Sequence, residues 1–558
     1  MSDPLQVAEE FNLFFSSVAF QQGVCLTREQ IRSNVEHGPL TSMALVPVSE
    51  EDVAKAIAQM PAKKSNDLNY ISPWLIKNCY KHILKLLTKL VNLSFQSGVF
   101  PSSLKMAKVT PIFKKGDPTC KNNYRPISIL PVFSKIFERL FLNQMANFLE
   151  IHNLLALNQF GFRKGKSTSE AVVRLVEMVV EGLDDQKPTQ GVFLDLSKAF
   201  DCVDHSILLS KLEKNGIRGL PLKWLNSFLN NRSQIVQIEN KASKQIELRY
   251  GVPQGSILSP LLFLVYVNDI SLSLQHGKLV QYADDSTLCF NSNSKTSLEI
   301  ESFIDLNSCI QAFNCINLQA NASKTNLINF SLRPKNSELS PALMLSDTLL
   351  EEVEYTKFLG IYIDQRLSWD HHIDNVCSKI SSGIFVLRSL SKYCPTQLLM
   401  MAYYGLIYPH LSYGLILWGA SANVEFMRVF RLQKKAIRII AKLKSRESCK
   451  LAFKNLQLLT LPSLYIMETI LFCITKCYPT RGRDVHHYET RGRDNYRGVR
   501  HRTVAYDRLP SQAGVKLFNK LPNNIKLSKM PTAFKNKLKN ELISHAFYSV
   551  EEFVEHQW

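Results

Sequence analysis

Residues 278–290, KLVQYADDSTLCF, set two adjacent carboxylates at the tip between two apolar runs. Apolar runs flanking a short polar tip are the pattern of a β-hairpin. Asp284 and Asp285 at such a tip repel each other, and each raises the other's pKa unless something positive sits between them. Mg²⁺ removes that cost. It takes hard oxygen ligands, uses one or two carboxylates, and fills its shell with water and phosphate. The competing reading is a solvated turn, where Asp is common. A two-metal phosphoryl-transfer site needs a further carboxylate from a neighbouring element. Asp195 is the candidate, because it closes the apolar run GVFLDL (191–196).

Charge points the same way. Of 558 residues, 67 are Lys or Arg and 48 are Asp or Glu, a formal charge of +19. With 45% hydrophobic residues the chain has a globular composition, so that excess implies a polyanionic partner, most simply nucleic acid. The N-terminus, MSDPLQVAEEF, has no basic stretch ahead of an apolar core and does not read as a secretory signal. Apolar runs such as LLFLVYV (261–267) are too short to cross a bilayer, so no membrane partner is expected. Twelve cysteines without a disulfide-framework spacing predict free thiols in a reducing compartment, cytoplasm and nucleus.

The pattern along the chain is mixed. Residues 1–92 read as helical: AEEFNLFFSSVA carries an apolar stripe, Ser49 opens a helix before VAKAIAQM, and WLIKNCYKHILKLLTKLVNLSF has leucines at helical spacing. Residues 93–365 alternate strands with helices. KVTPIF (108–113), GVFLDL, LINF (327–330) and FLGIYID (358–364) are strand candidates, which predicts an α+β or α/β domain. Residues 366–450 read as a separate helical lobe, with Ile373, Val376, Ile380, Ile384 and Leu387 on one face and a basic helix over 425–446. Residues 451–558 are basic and contain TRGRD twice, at 480–484 and 490–494.

The acidic tip belongs to an ordered series: NYRPISILPVFSKIFERL (123–140), NQFGFRKGKST (158–168), FLDLSKAFDCVDH (193–205), GVPQGSILSPLLFLVYVNDI (251–270), YADD (282–285), NASKTNLINF (321–330) and KFLGIYID (357–364). That series resembles the reverse transcriptase domain of non-LTR, LINE-like retrotransposons of the jockey kind. FNLFF (11–15) is similar to the linker before that domain, and VKLFNKLPNNIK (515–526) to the tail after it. The resemblance implies an α+β right-hand polymerase: fingers and palm with an antiparallel sheet over 93–365, a helical thumb over 366–450, and helical N- and C-terminal extensions over 1–92 and 451–558.

It also implies roles. Asp195 and Asp284 would hold two Mg²⁺ ions, or Mn²⁺, with Asp285 beside them. Phe200 matches the steric gate that excludes a ribose 2′-hydroxyl, although a core aromatic is the plainer alternative. Gln254 and Gly255 would lie under the incoming nucleotide; a tight turn is the bland reading of that loop. Lys114, Lys115 and Arg125 resemble the residues that clamp the triphosphate. Lys324 matches a lysine that protonates pyrophosphate, against a surface lysine. Arg163, Lys164 and Lys166 would face template or primer backbone, Tyr282 would lie beside nucleic acid, and Phe358 and Gly360 would steady the primer end. Asp201 and Asp204 read as helix-start carboxylates. The implied partners are an RNA template, a DNA primer or target DNA, and dNTPs.

Weaker features remain open. Arg428, Arg431, Lys434, Lys435 and Arg438 suit duplex phosphates or a solvated helix face. Cys473 and Cys477 with His486 and His487 resemble part of a zinc knuckle, or two small core hydrophobes and a loop. The Arg-rich stretch 481–502 suits single-stranded RNA or a surface loop. Only about 92 residues precede the polymerase region, too few for the endonuclease such elements carry, so a truncated polyprotein is expected. Two other functions fit the same residues: an idle nucleic-acid-binding remnant of a decayed element, and a maturase-like splicing factor.

Overall fold

The computed structural model describes residues 3–17, 41–332, 343–345, 348–477, 479–484, 493–526 and 531–558. Before the first sheet lie helices α1 (Pro4–Ser17), α2 (Glu50–Ala58) and α3 (Pro73–Ser97). The Ser49 signal holds: its hydroxyl accepts from the Asp52 amide while the Asp52 carboxylate returns to the Ser49 amide, a capping box. Strands β1 (Met106–Phe113) and β2 (Tyr124–Ile129) form an antiparallel hairpin. Then follow α4 (Val132–Ile151), α5 (Thr168–Asp184), β3 (Thr189–Leu194), α6 (His205–Lys214) and α7 (Leu220–Leu229). The chain next runs through β4 (Arg232–Ile238), β5 (Lys241–Ala242), β6 (Ile246–Leu248), α8 (Ser259–Tyr266), β7 (Lys278–Tyr282), β8 (Asp285–Asn291), α9 (Lys295–Cys315) and β9 (Asn326–Phe330). Four short strands, β10 (Met344–Leu345), β11 (Thr348–Leu349), β12 (Glu351–Glu352) and β13 (Tyr355–Phe358), precede β14 (Ile361–Asp364).

A five-stranded sheet in the order β12-β9-β3-β8-β7 stands at the centre. All its pairings are antiparallel except β12 with β9. Its middle strand, β3, is buried along its whole length. Alternation sends its side chains to two different cores. Val192 and Leu194 join Leu288, Leu327 and helices α2, α3, α4 and α6–α9. Phe193 joins Val280, Cys289, Ile328 and α5 on the other side. That second core runs on through α10 (Asp370–Leu390), α11 (Thr396–Leu406), α12 (Tyr408–Ser412), α13 (Leu415–Trp418), α14 (Asn423–Ile440), α15 (Lys450–Asn455) and α16 (Leu461–Phe472) into the last helices. The five apolar residues expected on one face of α10 are all buried.

A second sheet pairs β2-β1-β4, with β5 and β6 on β4. Helix α1 lies over it, packing Ala8, Phe11 and Phe15 on Val109 and Val236. Asn12 fastens it by donating to the Ser243 hydroxyl and the Lys244 carbonyl. FLGIYID differs from expectation. It is a hairpin, because Leu359 and Gly360 both take positive φ and reverse the chain between β13 and β14. Among the described residues no helix is long and apolar enough to cross a membrane.

Candidate active site

The acidic turn is built by register. Tyr282 pairs with Asp285, which leaves Ala283 and Asp284 as a two-residue turn between β7 and β8. Ala283 holds a left-handed φ of +58°. Leu194 pairs with Ser286, so Asp195, the next residue after β3, comes abreast of Asp285. The Asp195 carbonyl accepts from the Asn321 amide at 2.8 Å, which fixes it to the chain leading into β9. Loss of water around the Asp284 carboxyl, followed by the nearby Asp195 charge, raises its pKa. The same effects, with Asp284 and Asp195 both contributing, push Asp285 up to about 6. The Asp195 charge thus reaches both carboxyls of the turn.

Cations gather from three other elements. Lys324, in a short turn before β9, places Nζ 3.4 Å from Asp195 Oδ2. Lys114 follows β1, and Arg125 lies opposite Ile112 in the β1–β2 hairpin. Burial first, then Arg125 and Lys324, lowers the Lys114 pKa. Arg125 and Lys114 in turn both favour the charged form of Asp284. Residues far apart in sequence therefore share one electrostatic site.

The loop 251–255 is fastened to β2 and to the segment after Asp195, where the Val203 and Phe200 carbonyls accept from the Gly251 and Val252 amides. Ser128 donates its amide to the Gln254 carbonyl at 2.8 Å. Gly255 has φ +140°, and a Cβ there would sit 2.2 Å from the Ser128 carbonyl oxygen. Gly251 has φ +81° and a Cβ there would meet the Asp201 carbonyl at 2.8 Å. Both glycines are required by close backbone approach as well as by conformation. The Gln254 side chain does not point to open space. Its Nε2 donates to both oxygens of Asp201, at 2.8 and 3.0 Å. Asp201 is thus no helix-start carboxylate: it ends the single turn Ala199–Asp201 and anchors Gln254, and burial pushes its pKa up to about 6. Asp204 does cap a helix, accepting from the Ser206 and Ile207 amides at the start of α6. Phe200 stacks on Phe263 at 4.4 Å and meets Phe162 edge-on at 6.4 Å, and it remains half-buried. One face of the ring is core, and the ring is otherwise only partly covered.

Comparison with known proteins supplies the family. Residues 112–363 match the family described as reverse transcriptase (RNA-dependent DNA polymerase). The chain carries a reverse transcriptase domain. It is 30% identical over 417 residues to the probable RNA-directed DNA polymerase from transposon BS of Drosophila melanogaster, covering 72% of this chain and 45% of that protein. Against the RNA-directed DNA polymerase from mobile element jockey of the same organism it is 29% identical, covering 74% and 46%. Against the probable enzyme from transposon X-element it is 28% identical, covering 78% and 48%. The chain spans about half the length of these curated relatives.

Other expected residues of the reverse transcriptase domain have different surroundings. Arg163 does not face a groove. Its guanidinium forks onto Glu150 at 3.0 and 2.8 Å and reaches the Ala156 carbonyl, so it is a structural staple. Lys164 is exposed, and Lys166 sits 5.0 Å over the Phe160 ring. Phe358 is buried against Phe193 with ring centres 5.8 Å apart, so its ring is not a contact surface. Gly360, at the exposed hairpin tip, is available, and Tyr413 holds that tip by donating to the Leu359 carbonyl. Tyr282 is half-buried against the second core. The basic face of α14 is largely tied down: Arg428 pairs with Glu425 and Asp374, and Lys434 lies over Phe430 and Tyr548. Cys473 is buried in the turn after α16, and His486 and His487 lie outside the described residues.

Two residues escaped the sequence reading. Glu138, fully buried in α4, accepts from the Ser134 and Ser256 hydroxyls and the Ile257 amide, and so holds the chain just after Gly255. Gln159 touches the acidic turn itself through the Ala283 amide. Glu138, a carboxylate inside the apolar run IFERLF, was the available signal in the first case; Gln159, beside Asn158, carried none.

The carboxylate set suits a hard divalent cation in its chemistry: oxygen donors whose charges oppose each other. Among the described residues, however, no three His, Cys, Asp or Glu side chains converge tightly enough to hold a metal ion. Asp195, Asp284 and Asp285 are neighbours without forming a closed cage.

Proposed function

We propose that this chain is an RNA-directed DNA polymerase of the non-LTR retrotransposon kind, joining a dNTP to a primer 3′-hydroxyl on an RNA template. One observation carries the reading. Asp195, Asp284 and Asp285 share one site with Lys114, Arg125 and Lys324, inside the residues that match the reverse transcriptase family. Relatives named as RNA-directed DNA polymerases support it. The layout we infer is a right hand: fingers and palm over 93–365, thumb over 366–450, and extensions at 1–92 and 451–558. Cytoplasm and nucleus are the proposed compartments.

Asp195 and Asp284 would hold two Mg²⁺ ions, with Asp285 in support. When bound, such ions neutralise the triphosphate and lower the pKa of the primer hydroxyl. The chain's own residues do the rest. Lys114 and Arg125 balance phosphate charge on the side facing Asp284. Lys324, beside Asp195, is placed to give a proton to the departing pyrophosphate. The Phe200 ring excludes a 2′-hydroxyl by contact. Gln254, committed to Asp201 through its side chain and to Ser128 through its carbonyl, holds the loop rigid beneath the nucleotide. Tyr282, Lys164, Lys166 and Gly360 lie along the nucleic-acid path.

The test is primer extension by purified protein with Mg²⁺, a DNA primer on an RNA template, and dNTPs. Extension that depends on template and metal is expected. Tight binding of primer–template without any extension would favour the idle remnant instead. Specific binding of a structured intron, also without extension, would favour the splicing factor.

A further inference from the structure

The turn carrying Asp284 and Asp285 is clamped from below by a segment some 120 residues earlier in the chain. Residues 158–161 run alongside the edge strand β7: Gln281 donates its amide to the Asn158 carbonyl at 2.9 Å, and Phe160 donates to the Gln281 carbonyl at 2.8 Å. This added edge carries the Gln159 side chain, only 1% exposed, beneath the turn. There Oε1 accepts from the Ala283 amide and from the Gly161 amide, both at 2.9 Å. Its Nε2 is buried with no partner among the described residues, so the oxygen makes its bonds. Gly161 completes the seat. A Cβ there would lie 2.5 Å from the Ala283 nitrogen and 3.0 Å from the Tyr282 carbonyl carbon. Its own φ is not in the left-handed region, so contact alone demands glycine.

We propose that Gln159 is a positioning residue for nucleotidyl transfer, with Gly161 as its seat: together they hold Ala283 in its left-handed conformation and so fix where Asp284 and Asp285 point. Ala283 is 4% exposed. Without Gln159 its amide faces the interior unpaired, a situation native structures avoid. The turn then relaxes toward an ordinary φ, and the two carboxylates turn with it. Residues that orient metal ligands commonly act this way, without touching the reacting atoms. The functional half of the proposal rests on the polymerase reading; the clamp itself does not.

The test compares Gln159→Met, Gln159→Glu and Gly161→Ala with the wild type by three readouts. Amide hydrogen exchange at Ala283 reports the clamp, Mn²⁺ affinity reports carboxylate geometry, and single-nucleotide insertion at saturating primer–template reports function. Gln159→Met keeps the length and removes the acceptor. It should speed Ala283 exchange at least ~10-fold, weaken Mn²⁺ binding ~10-fold and slow insertion by ~10- to 100-fold, with primer–template affinity unchanged. Gln159→Glu retains an oxygen acceptor and should keep Ala283 exchange slow. Gly161→Ala should weaken Mn²⁺ binding by pushing the turn directly, which decides the matter if the methionine variant does not fold. Wild-type exchange and Mn²⁺ affinity in folded Gln159→Met or Gly161→Ala would overturn the proposal. So would Gln159→Glu exchanging as fast as Gln159→Met. A wild-type protein that binds Mn²⁺ at the turn but never extends a primer would sink the polymerase reading alone, because exchange and Mn²⁺ binding still decide the clamp.

Discussion

The acidic and basic halves of the site are built in opposite ways. Asp284 and Asp285 ride on a turn whose first residue is strained and whose amide is claimed by a buried glutamine. The loop 251–255 is likewise held by Gln254 on Asp201, by Glu138, and by glycines that lie against backbone. Lys114, Arg125 and Lys324, by contrast, reach the site from a hairpin end and a short turn. Like charges must be forced together, so the acidic half needs a rigid frame beneath it. Cations that meet a mobile polyphosphate gain from long, adaptable side chains. Mutations in the acidic half should therefore damage chemistry, and mutations in the basic half should mainly weaken substrate capture.

The largest expected effect breaks the acidic half. Asp284→Asn should slow single-nucleotide insertion by ~10³-fold or more while primer–template binding persists, as loss of a metal ligand commonly does. Phe200→Val comes next and tests its wall rather than its floor. Ribonucleotide discrimination should relax by ~10²-fold, because steric exclusion is commonly worth a few kcal/mol. The contact with Phe263 predicts a lower melting temperature as well. A lower melting temperature with an unchanged rNTP/dNTP ratio would return Phe200 to the core. In the basic half, Arg125→Ala should raise the KM for dNTP by ~10-fold and spare kcat, consistent with losing one charge-assisted contact.

The smallest effect sharpens the contrast through pH. Asp201 and Asp285 have folded pKa values of about 6, above the ordinary carboxylate range, and Asp284 is also raised. Raised carboxylates favour the folded state in their protonated form. Their contribution is fully present below about pH 4 and is lost as pH rises through 6. In EDTA, melting temperature should therefore drift down across that interval. Mg²⁺ should oppose the drift, and Asp285→Asn should flatten it. An identical metal-free drift in the wild type and in Asp285→Asn would contradict a raised Asp285.

Local pattern made the acidic turn readable. Apolar alternation on both sides of Asp284-Asp285 specifies a hairpin, and the run ending at Asp195 specifies its neighbour strand. The buried face of α10 was readable for the same reason. What pattern does not carry is the identity of a distant partner. Arg163 reads as a template contact until Glu150 takes its guanidinium. Phe358 reads as an interface residue until Phe193 buries it. FLGIYID reads as one strand because only the φ values of Leu359 and Gly360 reveal the reversal. Gln159 is the sharpest case: its partner is a backbone amide, and no side-chain pattern at Ala283 announces it.

Asp195 and Asp284 are proposed to share divalent metal at the acidic turn. Titrating Mn²⁺ into the wild-type protein and into the Asp195→Asn, Asp284→Asn double variant, with primer–template and a dNTP present, tests it most directly. Mn²⁺ affinity should fall by at least ~10²-fold from the wild type to the double variant, the loss expected when two of a metal's own ligands go. Equal Mn²⁺ affinity in the two folded proteins would contradict it.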